Sequence, residues 1–296
     1  MLDDILHAYA PKPLVVITGP TASGKSALAL ELAERYNGEI ICADSRTVYR
    51  GMDIGSAKPS PQDRQRVPHH LLDIANADVV YTAADFKHDA LVALSDIYAR
   101  GKTPFIVGGS GLYIDGLLLD YQFGPKATSR TRQALENRSI DELKSMLKDQ
   151  RITTPHNQQN KRYLIRALEQ QGINKQRREK PNDQVIVVAI ATEKQLLEER
   201  IRQRADEIFD APIVDEAITL ALRYGWDHES MSGNIYPIIK QYSEGTISLA
   251  QAKERFIIKD RQLVKKQITW LKRREYVQWR SLNDARLYLS EILERS

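Results

Sequence analysis

The stretch Gly19 to Ser26 reads GPTASGKS and follows directly on the apolar run LVVIT, with the spacing G-x-x-x-x-G-K-S unbroken. No other part of the chain restricts the fold as much. A β-rich run at Leu14 to Thr18 must end in a tight glycine turn and pass straight into a helix, because Ser26-Ala-Leu-Ala-Leu-Glu-Leu-Ala is strongly helical. At such a helix N-terminus the backbone N–H groups converge on an anion. The turn Gly19-Pro20-Thr21-Ala22-Ser23-Gly24-Lys25-Ser26 therefore reads as a phosphate cradle. Lys25 is placed to reach phosphate oxygens and Ser26 to ligate Mg2+, since a hard cation with oxygen ligands normally bridges a diphosphate. Thr21 and Ser23 add hydroxyls. The motif demands a polyphosphate and does not say which.

Two further strand-to-loop units follow. EIICAD runs into SRTVYRGMDIGSAKP, and TPFIV runs into Gly108-Gly109-Ser110-Gly111-Leu112-Tyr113. Strands alternating with helical stretches such as Ala83 to Arg100 predict an α/β fold, a parallel sheet flanked by helices. In such sheets ligands sit outside the carboxyl ends of the strands, so the three loops are expected to converge on one crevice. After Asp120 the pattern changes. Tyr121 to Thr131 reads as a loop containing Gly124-Pro125, then ENRSIDELKSMLKD and NKRYLIRALEQQ read as short helices, and NKQRREKPND as a basic loop. Strand character resumes at Val185 to Thr192, expected as the fourth strand of the sheet. The domain expectation is a sheet core of residues 1–121 and 184–296, interrupted by a basic helical insertion at 122–183.

Charge reinforces that division. Between Lys126 and Asp183 there are 14 Lys plus Arg against 7 Asp plus Glu, and the remainder holds 29 basic against 32 acidic residues. The middle of the chain thus supplies more than the whole net charge of +4. A second run, Lys259 to Arg280, carries eight basic and two acidic residues among aromatics. Two basic segments beside a phosphate cradle favour a polyanion such as RNA over a merely solvated helix face. The single cysteine, Cys42, excludes an internal disulfide and a multi-cysteine zinc site, and reads as a buried small hydrophobe. No apolar run approaches a membrane span and the first residues lack a secretory pattern, so a cytoplasmic protein without membrane contact is expected.

Other residues leave alternatives open. Asp44 ends the second strand, where a carboxylate can bind Mg2+, take a proton from a nucleophile, or cap the following turn. Glycine density at Gly108 to Gly111 marks the approach of a ligand or another backbone. Arg200 and Arg204 are one helical turn apart, either as surface ion-pair partners or as a cationic fork aimed at a diphosphate. His69-His70 makes a poor metal site, because neighbours on an extended segment point in opposite directions.

Taken in order, GPTASGKSALALELA, ADSRTVYRGMDIGSAKP, VPHHLLD, PFIVGGSGLYIDGLL, IRALE and RQLVKKQITWLKRR resemble the tRNA dimethylallyltransferase (tRNA isopentenyltransferase) family, and the resemblance covers nearly the whole chain. It implies a fold similar to P-loop kinases but a different substrate, dimethylallyl diphosphate, whose five-carbon prenyl group passes to the exocyclic amine of adenosine 37, next to a tRNA anticodon. By that resemblance Asp44 is the catalytic base, aided by Lys25 and Arg204, and Gly19 to Ser26 with Arg200 and Arg204 hold the prenyl diphosphate. Asp44, Ser45, Arg46, Thr47 and Ser110 face the target nucleotide. Arg162, Tyr163, Leu164, Ile165 and Arg166 contact tRNA, as do Arg261, Lys265, Lys266, Gln267 and Trp270. Mg2+ is the implied cofactor, on Ser26, and a monomer working on the anticodon stem-loop the implied assembly. Thr47 and Tyr163 stand where glutamine and a second arginine are common, and Ile208, Ala211 and Gly233-Asn234 also depart from the family pattern. With one cysteine the zinc-finger tail of the eukaryotic branch is missing, which implies the bacterial type.

Two rival readings rest on the phosphate cradle. A small-molecule kinase would use the insertion as a lid and would turn over ATP. A nucleotide-switched RNA-binding factor would hold nucleotide without turnover, but the chain has no N-K-x-D guanine-specificity element.

Overall fold

The computed structural model describes residues 1–124, 129–171 and 177–295. Pro125, Lys126 and part of the basic loop at 174–183 lie outside the described residues. Six parallel strands form one sheet: β1 (Leu14–Thr18), β2 (Gly38–Cys42), β3 (His69–His70), β4 (Thr103–Gly108), β5 (Val185–Ile190) and β6 (Gln278–Arg280), in the order β3-β2-β4-β1-β5-β6. β1 is central, and Val16 lies between Ile106 of β4 and Val187 of β5. All its residues are buried, which explains why LVVIT reads as a continuous apolar run without alternation.

One face of the sheet is covered by the helix Lys25–Arg35, whose Leu28, Leu32 and Ala33 pack with Val15, Ile17, Phe105 and the helix Leu282–Glu294. The edge strands depart from the sequence reading. β3 is only two residues long and β6 three, so neither has room for a period-2 pattern, and Val185–Ile190 is the fifth strand in chain order, not the fourth. A second apolar cluster joins Val48, Tyr49 and Met52, from the loop after β2, to the helices Lys194–Asp210, Ile213–Tyr224, Tyr236–Ser243 and Leu249–Leu271. These helices frame the carboxyl ends of the strands.

The chain divides into two compact units, 1–117 with 181–296, and Leu118–Lys180. The smaller unit has its own core of Leu135, Leu143, Leu147, Leu164, Ile165 and Leu168. Its helices are Ser129–Glu136, Ile140–Asp149 and Lys161–Glu169. The first begins inside the stretch read as loop. The second starts at Ser139, whose hydroxyl accepts from the Glu142 N–H while the Glu142 carboxylate accepts from the Ser139 N–H. Among the described residues no helix is long and apolar enough to cross a membrane.

Candidate active site

Two residues of the phosphate loop have left-handed backbone: Ala22 has φ +62° and Gly24, at the N-cap of the following helix, φ +90°. Left-handed residues in succession with right-handed ones turn N–H groups toward one point and make an anion nest. Lys25 Nζ folds back to donate to the Pro20 carbonyl at 3.1 Å. Burial pushes its pKa down to about 8, the Asp44 carboxylate opposes that shift, and the Arg204 guanidinium adds to it. An ammonium held at such a cost is poised to gain from an arriving anion.

Two cavities, of about 290 Å³ and about 310 Å³, open at the strand ends. The first lies along the phosphate loop, with Ser26, Ala27, Ile40, Cys42, Thr47 and Val107 in its wall. The second lies between Ser45, Arg46, Ser110, Gly233, Asp260 and Gln267. Thr21, Lys25, Asp44, Ser56 and Arg204 line both. The three residues expected to be catalytic thus stand in the common wall of two compartments.

Asp44 Oδ1 accepts from the N–H of Arg46 at 2.8 Å and of Thr47 at 3.4 Å, so this oxygen caps the turn that follows β2. Among the described residues Oδ2 has no hydrogen-bond partner. Capping and chemistry are therefore compatible. Ser110 Oγ accepts from the Ser45 N–H at 3.1 Å, tying the third loop to the second. Arg46 gives its guanidinium to the carbonyls of Glu229 and Ser230, both at 2.9 Å, and so fastens one wall of the second cavity.

The helix Leu249–Leu271 supplies the opposite wall. Phe256, Asp260, Leu263 and Gln267 recur at helical spacing and face the cavity together. Gln267 Oε1 accepts from the Thr21 N–H at 2.9 Å while its Nε2 donates to the Gly109 carbonyl at 3.3 Å, which clamps the phosphate loop to the third loop. The glycines of that loop serve this approach: a Cβ at Gly109 would stand 2.3 Å from Gln267 Nε2, and one at Gly111 2.4 Å from Trp270 Cδ1. What comes near them is the long helix. Asp260, 1 % exposed, pairs with Arg204 and accepts from Asn234 Nδ2 at 3.1 Å. Arg200 reaches the Ala22 carbonyl at 3.4 Å. The two arginines share a face, as their spacing predicts, and only Arg204 lines the cavities.

Several expected residues lie elsewhere. Trp270 donates to Asp115 Oδ2 at 3.1 Å, and Arg274 and Tyr276 bind the same buried carboxylate, so Trp270 is part of a structural cluster. Arg261 is 3.9 Å from Glu198, and Lys265 and Lys266 are exposed away from both cavities. In the smaller unit Arg162, Tyr163 and Arg166 are exposed, but Leu164 and Ile165 are core residues, which corrects the reading of all five as tRNA contacts. Thr47 stands in the wall of the first cavity, with the phosphate loop, and not in the second.

The tract Gly51 to Pro59 is held by two residues that sequence spacing alone does not single out. Lys58, its side chain 1 % exposed, donates to Tyr49 O at 2.6 Å, Asp53 at 2.7 Å and Asp73 at 2.5 Å. Glu216 accepts from the N–H groups of Asp53, Ile54 and Gly55 at 2.8, 2.7 and 3.0 Å. Cys42 is buried, its thiol pushed up to about 12 by desolvation. His69 Nδ1 donates to the Val67 carbonyl and His70 meets Glu39, on the two sides of the edge strand.

A parallel sheet with a phosphate loop after its central strand, and a carboxylate shared by two cavities, defines a phosphate-loop group transferase. A family profile described as IPP transferase matches residues 47–274, and the chain belongs to that family. It is 35% identical over 284 residues to the tRNA dimethylallyltransferase of Streptococcus pneumoniae serotype 2, covering 92% of this chain and 93% of that protein. The enzyme of the same name from Macrococcus caseolyticus is 35% identical over 296 residues, with 96% and 94% covered. Among solved structures, the tRNA isopentenylpyrophosphate transferase of Bacillus halodurans superposes with a TM-score of 0.72 at 31% identity, over 96% of this chain and 97% of that one. A eukaryotic dimethylallyltransferase acting on tRNA shares the fold, with a TM-score of 0.76 at 22% identity over 91% of this chain and 74% of the other.

Proposed function

We propose that the protein transfers the dimethylallyl group of dimethylallyl diphosphate to the exocyclic amine of adenosine 37 of tRNA, acting as a cytoplasmic monomer. The observation that carries this reading is the shared wall: Lys25, Asp44 and Arg204 line both a phosphate-loop cavity and a second, polar one. Two compartments meeting at one carboxylate fit a donor and a large acceptor entering separately. The diphosphate rests on the nest and Lys25, with its prenyl carbon toward Asp44. The adenine enters the second cavity between Arg46, Ser110 and Gln267.

An aryl amine is a weak nucleophile, so removal of its proton and stabilisation of the leaving group both lower the barrier. Asp44 Oδ2 accepts the proton while Oδ1 stays in the turn, which keeps the carboxylate from rotating. The amine nitrogen bonds to the first prenyl carbon, the carbon–oxygen bond breaks, and the diphosphate leaves with the electron pair against Lys25 and Arg204. Ser26 and Asp44 both line the phosphate-loop cavity, a donor set of hydroxyl and carboxylate that suits a hard cation. Ser26 would hold Mg2+, which would supply positive charge against the departing diphosphate. The target base must leave its stack, at a cost of a few kcal/mol, and contacts from Arg162, Tyr163 and Arg166 in the basic helical unit offset that cost.

The test is to mix the protein with Mg2+, an anticodon stem-loop and dimethylallyl diphosphate, and to look by mass spectrometry for a prenyl gain on one adenosine. Gain on that adenosine supports the reading. ATP hydrolysis without prenyl transfer overturns it in favour of a kinase.

A further inference from the structure

The tract Gly51 to Pro59 supplies wall to both cavities. Ser56 lines the two, Gly55 the second alone, and Ala57 and Pro59 the phosphate-loop cavity, where they extend the apolar surface that Ile40, Cys42 and Val107 of the sheet begin. A diphosphate held on the nest leaves its hydrocarbon end to such a surface. The tract bends sharply, with Gly51 at φ +76° and Ala57 at φ +50°. Left-handed backbone is unfavourable for alanine, so contacts from outside have to hold the bend.

Glu216, on the helix Ile213–Tyr224, holds it from behind. Its Oε2 accepts from the N–H of Asp53 and of Ile54 at 2.8 and 2.7 Å, and its Oε1 from the N–H of Gly55 at 3.0 Å and from the Tyr236 hydroxyl at 2.9 Å. Hydrogen bonds to a carboxylate are stronger than those between neutral groups, and three successive N–H groups turned on one carboxylate leave the loop little freedom. Tyr236 is 1 % exposed, and a Cβ at Gly55 would stand 2.8 Å from its hydroxyl, so the loop backbone rests directly on the ring that orients Glu216. Glu216 itself lines neither cavity and borders a separate outer groove with Asp215 and Arg223. Whatever it does for the reaction passes through the loop.

We propose that Glu216, steadied by Tyr236, is a positioning residue that sets the wall against which the hydrocarbon tail of the donor rests. This rests on the prenyl-transfer reading above and adds to it the residue that fits the cavity to the tail. The diphosphate is held by the phosphate loop, Lys25 and Arg204, none of which Glu216 touches. Loss of the Glu216 carboxylate lets Ala57 and Pro59 draw away from the tail and leaves the diphosphate contacts in place. The affinity it governs is therefore that of the tail alone.

The experiment measures, by calorimetry on the full chain, the affinities for dimethylallyl diphosphate and for inorganic diphosphate, and compares their ratio between variants. Glu216→Ala should weaken dimethylallyl diphosphate relative to inorganic diphosphate by about four- to fifteenfold, the worth of one or two methyl or methylene groups losing their cover. Glu216→Gln, which keeps the shape and one acceptor oxygen, should fall between Glu216→Ala and the wild type, and Asp215→Ala, a carboxylate in the same outer groove, should match the wild type. Single-turnover transfer to an anticodon stem-loop at saturating donor should stay within about threefold of the wild-type rate, so that the effect lies in KM and not in kcat. Should Glu216→Ala fail to fold, Glu216→Gln and Tyr236→Phe decide by the same ratio. A ratio that stays unchanged while Tm falls would make Glu216 a structural anchor only, and overturns the inference, as does a rate lost at saturating donor; both leave the prenyl-transfer reading intact. A wild type that yields no prenylated product removes that reading, and this inference with it.

Discussion

The lowered pKa of Lys25 makes the affinity for diphosphate depend on pH in a direction that can be worked out beforehand. Burial brings the pKa to about 8, against an ordinary value of 10.5, with Asp44 opposing and Arg204 reinforcing the shift. With a pKa of about 8, roughly nine-tenths of the ammonium is charged at pH 7 and about one-tenth at pH 9. If the charged form binds the anion, affinity for dimethylallyl diphosphate falls about tenfold from pH 7 to pH 9, and binding near pH 9 takes up close to one proton. The donor gains negative charge over the same range, which opposes the trend, so the fall is assigned to the protein. Isothermal titration calorimetry in buffers of different ionisation enthalpy measures both quantities. Lys25→Arg, charged throughout, should flatten the curve. For the empty protein the sign is reversed: a lysine with a depressed folded pKa takes up fewer protons folded than unfolded, so stability rises with pH between about 8 and 10.5. Constant affinity with no proton uptake would refute the argument that Lys25 is held at a cost which the diphosphate recovers.

Three further outcomes follow from single contacts. Asp260→Ala strips Arg204 of a buried carboxylate; because Arg204 is 19 % exposed, the loss should be about 2–3 kcal/mol, below the usual range for a fully buried pair, and thermal unfolding together with a drop in kcat should report it. Lys58→Met leaves the loop at Gly51 to Pro59 without its central donor and should lower Tm by roughly 4–8 °C, corresponding to about 2 kcal/mol, in a scanning calorimeter. Replacing Arg162 and Arg166 together by glutamine should weaken tRNA binding and reduce its salt slope by about one to two, with diphosphate affinity unchanged; an unaltered slope would make that face merely solvated.

The sheet centre and the phosphate loop were legible because their determinants are local. Five apolar residues, a fixed glycine spacing and a helical run define β1, its turn and the helix after it without reference to anything distant. The short edge strands were not, since His69–His70 and Gln278–Arg280 exist only by pairing with β2 and β5. The same limit applies within the site. Asp44, Lys25 and Arg204 carry motif signals, but Asp260 lies inside a basic run and its partners Arg204 and Asn234 stand 56 and 26 residues away. Gln267 clamps the phosphate loop from 246 residues away, and Glu216 holds the Asp53–Gly55 N–H groups across more than 160 residues. Leu164 and Ile165 were misplaced for the converse reason: a motif marks a segment, while burial separates the faces of its helix.

The account centres on Asp44 as the base in the wall shared by the two cavities. The most direct measurement is single-turnover transfer from dimethylallyl diphosphate to an anticodon stem-loop by the wild type and by Asp44→Asn, with both substrate affinities measured separately and Mg2+ varied. Asparagine keeps the turn cap and removes the proton acceptor, so the rate should fall about a hundredfold to ten-thousandfold while the affinities change little. A near-normal rate, or a lost diphosphate affinity restored by excess Mg2+, would contradict it.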